Sequence, residues 1–293
     1  MKGWLVVNHF VQSDKFEELF NMLEEAAAQF GVHLTRMTNS STWLRLARCG
    51  YALRDKPDFV LFWDKDIRLA YELERQGLRL FNPAQAIGFC DDKTLTWIRC
   101  SQTGLRQPFS IISPKKFHND GLVDDDLFTV IKDRVGYPCV LKEAFGSFGQ
   151  QVRLAEDEEE LRMLIRECGD RPYLIQEYIS SSEGRDLRVQ VVGGRVVAAM
   201  RRENKEDFRA NLTNGGHATD YTDKLSEEQK NMAIEACRIL GLDFAGVDIL
   251  FGWDEEPVLC EVNSNAHFKN LFDCTGVNVA DEIMAHIVKT IRG

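Results

Sequence analysis

Apolar and polar positions in the first ninety residues switch between two periods. An apolar run over residues 3–8 predicts a buried strand. Phe16, Leu19, Phe20, Leu23, Ala27 and Phe30 then recur at helical spacing, and Gly31 stops that helix. Further apolar runs follow at 59–63 and 78–81, with a helical stretch between them. Short strands alternating with helices predict a parallel sheet with helices on its faces. The first strand runs into Asn8-His9-Phe10-Val11-Gln12-Ser13, which has no glycine to let a pyrophosphate approach a helix N-terminus. A dinucleotide is therefore not expected on this sheet.

After about Asp91 the pattern changes. Asp91 is expected to cap a helix reaching Gln102 or Thr103, and a short strand over 109–112 follows Pro108. Residues 137–142 and 151–154 read as two strands around Gly146-Ser147-Phe148-Gly149. A helix over 157–168 carries acids in its first turn, where the helix dipole favours them. Two alternating strands between 185 and 203 flank Gly193-Gly194, a hairpin signal. Ser226-Glu227-Glu228-Gln229 forms a capping box for a helix ending at Gly241. Strands over 244–251 and 257–263 precede a closing helix. The fold class expected is α/β for the first part and α+β, built on antiparallel hairpins, for the rest.

The chain has 293 residues, enough for about two domains, and 44% of them are apolar, which suits a globular protein. Its net charge of -10 argues against nucleic acid and anionic lipid as partners. No stretch approaches the roughly 18 apolar residues of a membrane span, and the apolar N-terminal run is too short for a signal-peptide core. Eight cysteines without a CxxC spacing fit reduced thiols of a cytoplasmic protein better than a zinc site or a disulfide framework.

Three constellations carry chemistry. Asp248 interrupts the apolar run 246–250, and Glu261 and Asn263 share one face of the next strand. If those two strands pair around residues 252–256, Asp248 can join that face. Buried acids are costly unless paired or bound to a cation. Three hard oxygen donors there suit Mg²⁺, with pairing to Arg or Lys at a sheet edge as the alternative. Between Arg185 and Arg209, seven Lys/Arg stand against four Asp/Glu, a local excess of positive charge in an acidic chain. Arg195 beside the turn reads as solvated; Arg188, Arg201 and Arg209 are placed to meet a polyphosphate or carboxylate. Finally, Lys142 ends a strand just before the Gly-Ser-Phe-Gly loop, whose backbone amides could fold over phosphates.

In order, these residues resemble the ATP-grasp superfamily, specifically the RimK-like carboxylate–amine (alpha-L-glutamate) ligases. The strings that carry the resemblance are Gln176-Glu177-Tyr178-Ile179, Asp207-Phe208-Arg209-Ala210-Asn211 followed by Gly215-Gly216, Ala245 to Leu250, and Glu261-Val262-Asn263. The resemblance implies a Rossmann-like pre-ATP-grasp domain over 1–90. It implies a central ATP-grasp lobe with a glycine-rich lid over 91–177, and a C-terminal lobe with metal and catalytic residues over 178–293. Lys93 and Lys142 match the lysines on the α- and β-phosphates, and 144–149, with Gly146, Ser147 and Gly149, match the lid. Glu177 and Tyr178 match the adenine hinge, and Asp186 the acid facing the ribose. Arg209 and Asn211 match the pair beside the γ-phosphate. Asp248, Glu261 and Asn263 match the ligands of Mg²⁺, with Mn²⁺ as an alternative.

The implied reaction is ATP-dependent amide formation through an acylphosphate, with Arg209 and Lys142 as catalytic cations and no Cys or Ser nucleophile. Its partners are ATP, a carboxylate substrate and an amine substrate, with a peptide or carrier protein as a further acceptor and a homo-oligomer allowed. Where many glutamate ligases continue Asn-x-Ser-Pro-Gly, this chain has Ser264-Asn265-Ala266-His267-Phe268-Lys269-Asn270. Phe268-Lys269-Asn270 and Thr275-Gly276-Val277 resemble the ligases of lysine and arginine biosynthesis, which act on an amino-group-carrier protein. Arg188, Arg201, His267 and Lys269 are the substrate candidates. An ATP-grasp phosphotransferase and a regulatory nucleotide-binding protein without turnover are the competing readings.

Overall fold

The computed structural model describes residues 1–11, 13–118, 123–146, 149, 151–210 and 215–293. The opening strand, β1 (Lys2–Val7), is buried along its length after Lys2 and forms the middle of a four-stranded parallel sheet. Its neighbours are β2 (His33–Thr38) and β3 (Phe59–Trp63), with the two-residue β4 (Leu80–Phe81) beyond β3. The helices α1 (Asp14–Gln29), α2 (Asn39–Arg48) and α3 (Ile67–Arg75) connect these strands. The pair β2 and α2 lacks a long apolar run, and the hydrophobic pattern does not single it out.

Two short helices lead away from this sheet: α4 (Ala84–Asp91) and α5 (Lys93–Cys100). Here the structure corrects the expected cap. Asp92, not Asp91, caps α5 by accepting from the backbone amides of Thr94 (2.8 Å) and Leu95 (3.3 Å). Asp91 ends the preceding helix and pairs with Lys65 at 2.8 Å. The helix also ends at Cys100, short of Gln102.

The second sheet holds β5 (Ser110–Ile112), β6 (Cys139–Glu143), β7 (Val152–Ala155) and β8 (Tyr173–Glu177) in the order β5-β8-β6-β7, all antiparallel. It is backed by α6 (Asp125–Arg134) and α7 (Glu158–Cys168), the latter capped by Asp157. The third sheet is antiparallel too, β11-β10-β9-β12-β13. Its strands are β9 (Arg185–Val192), β10 (Arg195–Glu203), β11 (His217–Asp220), β12 (Phe244–Phe251) and β13 (Pro257–Asn263). The capping box forms as expected at the start of α8 (Glu227–Leu240), and Gly241 closes it in a left-handed conformation. The closing helix is two: α9 (Lys269–Thr275) and α10 (Val279–Arg292), parted at Gly276 with φ +73°.

One hydrophobic core is shared by distant parts of the chain. Leu5, Leu61, Trp63 and Phe81 from the first sheet pack with Phe244 and Phe268, and with Ile283 and Ile287 of α10. Trp63 stacks on Phe244 at 5.5 Å and meets Phe268 edge-on at 5.7 Å. The first and third sheets are thus joined by apolar packing, with their polar ends facing a common cleft. No helix among the described residues is long and apolar enough to cross a membrane.

Candidate active site

A cavity of about 260 Å³ is lined by residues of the second and third sheets and by groups that stand just beyond the strands of the first. On the third sheet, strand register decides the geometry. Asp248 of β12 lies directly opposite Arg188 of β9, and Asp186 of β9 directly opposite Arg202 of β10. Arg202 grips Asp186 with two bonds of 2.7 and 2.6 Å and reaches Asp248 at 3.2 Å. Arg188 forms a second two-bond grip on Asp248, one bond of 2.8 Å from its terminal nitrogen and one from Nε. Two acids and two guanidiniums thus balance each other inside a sheet. Burial raises the Asp186 pKa and Arg202 only partly offsets it. Burial also works against charge on Asp248, but Arg188 and Arg202 outweigh it and hold its pKa below the usual range.

The close approach of Arg188 depends on Gly246. A Cβ at 246 would stand 2.9 Å from Arg188 Cδ and 2.5 Å from Ala266 Cβ. Glycine is the residue that lets the arginine and the segment after β13 close over the strand.

Further along the cleft stand two lysines. Lys93 Nζ donates to the Gly146 carbonyl at 3.0 Å and lies 3.9 Å from Glu261. Burial lowers its pKa, while Glu261 acts in the opposite sense. Lys142 Nζ lies 3.7 Å from the thiol of Cys260. Glu261 is paired in register with Asp248, and Asn263 with Gly246. All three expected oxygen donors therefore belong to the cavity wall, but both oxygens of Asp248 already accept from guanidiniums. Among the described residues no three His, Cys, Asp or Glu side chains cluster as a metal cage. Arg209 holds Asp207 at 2.6 Å and the Gly149 carbonyl at 2.5 Å, tying the segment after β10 to the glycine loop. Ser147 and Asn211 lie outside the described residues. Glu177 and Tyr178 close the far end, where the Glu177 amide donates to Phe109 O at 2.9 Å and the Tyr178 ring meets Phe208 edge-on at 6.2 Å.

Two substrate candidates do not reach the cavity. Arg201 lies over the Phe251 ring at 5.6 Å and pairs with Glu203 at 2.5 Å. Strand alternation turns its neighbour Arg202 toward the cleft instead. Lys269 pairs with Asp273 at 2.5 Å, one turn along α9. His267 does line the cavity, as does Arg188. The structure adds Lys15 and Phe16 from the start of α1, and Lys65 after β3. These sit on loops and helix starts of the first sheet, where no interrupted apolar run marks them.

A RimK-like ATP-grasp domain matches residues 96–287. The chain belongs to the RimK-like ATP-grasp family. It is 36% identical over 222 residues to a probable alpha-L-glutamate ligase of Marinomonas sp., a match covering 75% of this chain and 70% of that one. It is also 36% identical over 231 residues to N-acetylaspartylglutamate synthase A of Homo sapiens, covering 74% of this chain and 56% of that protein. In structure it resembles the D-alanine–D-alanine ligase of Bacillus anthracis complexed with ATP, with a TM-score of 0.74 at 18% identity, over 100% of this chain and 97% of that one. This RimK-like chain is thus an ATP-grasp ligase by family, and ATP is the family's nucleotide.

Proposed function

We propose that this chain joins an amino acid of the glutamate type to a carboxylate acceptor, activating the carboxylate as an acylphosphate. The observation that carries the reading is the convergence of Lys93, Lys142, Glu261 and Asn263 with Gly146 and Arg209 along one wall of the cavity. Lys93 and Lys142 would hold phosphate oxygens, Glu177 and Tyr178 the adenine, and Arg209 the transferring phosphoryl group. Residues 1–90, 91–177 and 178–293 serve in this reading as the three units of the fold.

Glu261 and Asn263 are hard oxygen donors suited to Mg²⁺, whereas both oxygens of Asp248 are engaged by guanidiniums, so its part is to hold Arg188 and Arg202 beside them. When bound, the ion would neutralise phosphate charge during transfer. Asp186 is bound by Arg202, so its part is to fix that guanidinium rather than to meet the ribose. In the reaction, a carboxylate oxygen attacks the γ-phosphorus and ADP leaves. The amine nitrogen then attacks the acyl carbon, phosphate leaves and the nitrogen gives up its proton, with Arg209 stabilising the oxyanion between. Enclosure in this cavity would limit hydrolysis of the acylphosphate. The carrier-protein alternative has less support, because Phe268 is core and Lys269 is held by Asp273.

The test is Mg²⁺-dependent ADP release with L-glutamate and a panel of acids that includes N-acetyl-L-aspartate, citrate and acidic peptides, followed by product mass. An amide is expected. A phosphorylated product, or ADP release independent of the acid, would refute the ligase reading. Glu261→Gln should lower turnover by about two orders of magnitude with a smaller change in ATP affinity, because the donor set matters most as charge shifts. Wild-type turnover in that variant would remove Glu261 from the site.

A further inference from the structure

The segment after β13 is tied to the first ninety residues by two side chains that meet backbone carbonyls in the same way. Asn265 Nδ2 donates to the backbone carbonyl of Asp64 at 2.8 Å. His267 Nε2 lies 2.9 Å from the backbone carbonyl of Lys15. A carbonyl can only accept, so the nitrogen facing it must carry hydrogen in both cases. This fixes the Asn265 amide with Oδ1 on its other side, and a neutral His267 with a bare lone pair on Nδ1. Those two acceptors, Asn265 Oδ1 and His267 Nδ1, are buried and without a hydrogen-bond partner among the described residues. Both residues line the cavity. Buried acceptors left unpaired are costly, and an N–H or O–H donor entering the cavity would satisfy both.

Neutral imidazole is what the surroundings favour. Burial pushes the His267 pKa down to about 4, and the charges of Lys15 and Arg188 act in the same direction. The Phe16 ring, edge-on at 5.6 Å, packs against the imidazole and holds its plane.

We infer that Asn265 and His267 form the acceptor half of the amine pocket, taking hydrogen bonds from the nitrogen of the amino-acid substrate. The inference rests on the ligase reading above and names which side of the cleft the nucleophile enters. An amine attacks only as the free base. The burial that keeps His267 neutral also disfavours an ammonium ion beside it and so favours an uncharged amine. His267 is in this account an orienting acceptor: an imidazole held neutral down to about pH 4 is too weak a base to remove the proton itself.

The full chain, with ATP, Mg²⁺ and the acid selected by the ADP-release panel, separates binding of the amine from activation of the acid. Hydroxylamine at high concentration traps an acylphosphate without needing a pocket, whereas L-glutamate needs one. In His267→Phe, which keeps an aromatic ring against Phe16, kcat/KM for L-glutamate should fall at least tenfold while hydroxamate formation stays within twofold of wild type. His267→Gln, which retains a donor and an acceptor, should recover part of the loss. Unchanged kcat/KM for L-glutamate in His267→Phe, or an equal loss with hydroxylamine, overturns the assignment. A second readout is independent of turnover. In ¹⁵N histidine spectra of the wild type, His267 should carry hydrogen on Nε2 alone at pH 7, and its Nδ1 signal should shift when L-glutamate is added with a non-hydrolysable ATP analogue. A protonated Nδ1, or no shift at saturating L-glutamate, also overturns it. If the wild type makes hydroxamate but no amide with L-glutamate, the choice of amino acid has failed, and both readouts are taken with the amino acid that does give an amide. If it makes neither, the ligase reading has failed and the inference falls with it.

Discussion

The first and third sheets face the same cavity but handle polar groups in opposite ways. In β1 and β3 every residue after Gly3 is apolar and buried, and the groups that reach the cavity, Lys15 and Lys65, stand beyond the strands. The third sheet keeps its charges mid-strand, with Asp186, Arg188, Arg202 and Asp248 bonded across β9, β10 and β12. The contrast separates two kinds of site. A charge built into a strand is inseparable from folding, because removing either partner leaves a buried ion. A charge beyond the strands can be changed at little cost to the fold.

The largest test of this contrast is Arg202→Met. It leaves Asp186 buried without its partner and weakens the hold on Asp248, which should cost about 3–5 kcal/mol in denaturant unfolding. Adding Asp186→Leu should restore most of that, since Asp248 keeps Arg188. A single variant as stable as wild type would show that the network is not part of the fold's stability. Next comes Gly246→Ala, where the added methyl meets Ala266 and Arg188 at 2.5 and 2.9 Å. It should cost about 1–3 kcal/mol and slow turnover as well, because it shifts a cavity cation. Finding stability lost but kinetics intact would separate Arg188 from the chemistry. The smallest expected effect on stability belongs to Lys15→Gln, under about 0.5 kcal/mol. Its consequence should appear as a several-fold higher KM for the acid or the amine with ATP affinity unchanged. A marked loss of stability there would erase the distinction between the two sheets.

The same distinction explains what could be read in the sequence. Asp248 and Glu261 stand out because each breaks an apolar run, and β9, β10, β12 and β13 were legible to the residue from alternation and from Gly193-Gly194. The sequence singles out Arg201 where the structure places Arg202, since alternation fixes which residues share a face but not which face meets the cleft. Pairing to guanidiniums, the alternative to metal for a buried acid, is what Asp248 shows, although Glu261 and Asn263 remain open to a cation. Lys15, Phe16 and Lys65 carried no signal: their place in the cavity follows from how two sheets dock, which no local pattern encodes. Lys269 failed for a local reason, as Asp273 lies one helical turn away.

Asn82 joins those two sheets. Its amide nitrogen donates to the carbonyls of Phe244 and Ser264, both at 2.9 Å, and its oxygen accepts from the amides of Asp243 and Phe244 at 2.8 and 3.2 Å. All four of its hydrogen-bonding positions are thus spent on the far lobe, at the root of β12 and at the residue following Asn263. A chain cut after residue 90 would lose this rivet along with half of the shared core. The C-terminal piece would be left with frayed ends on the very strands that present Asp248, Glu261 and Asn263. Amide exchange in Phe244 and its neighbours should therefore report on the integrity of the first ninety residues. The first and third sheets stand far apart along the chain, and their shared core and Asn82 predict that they open together.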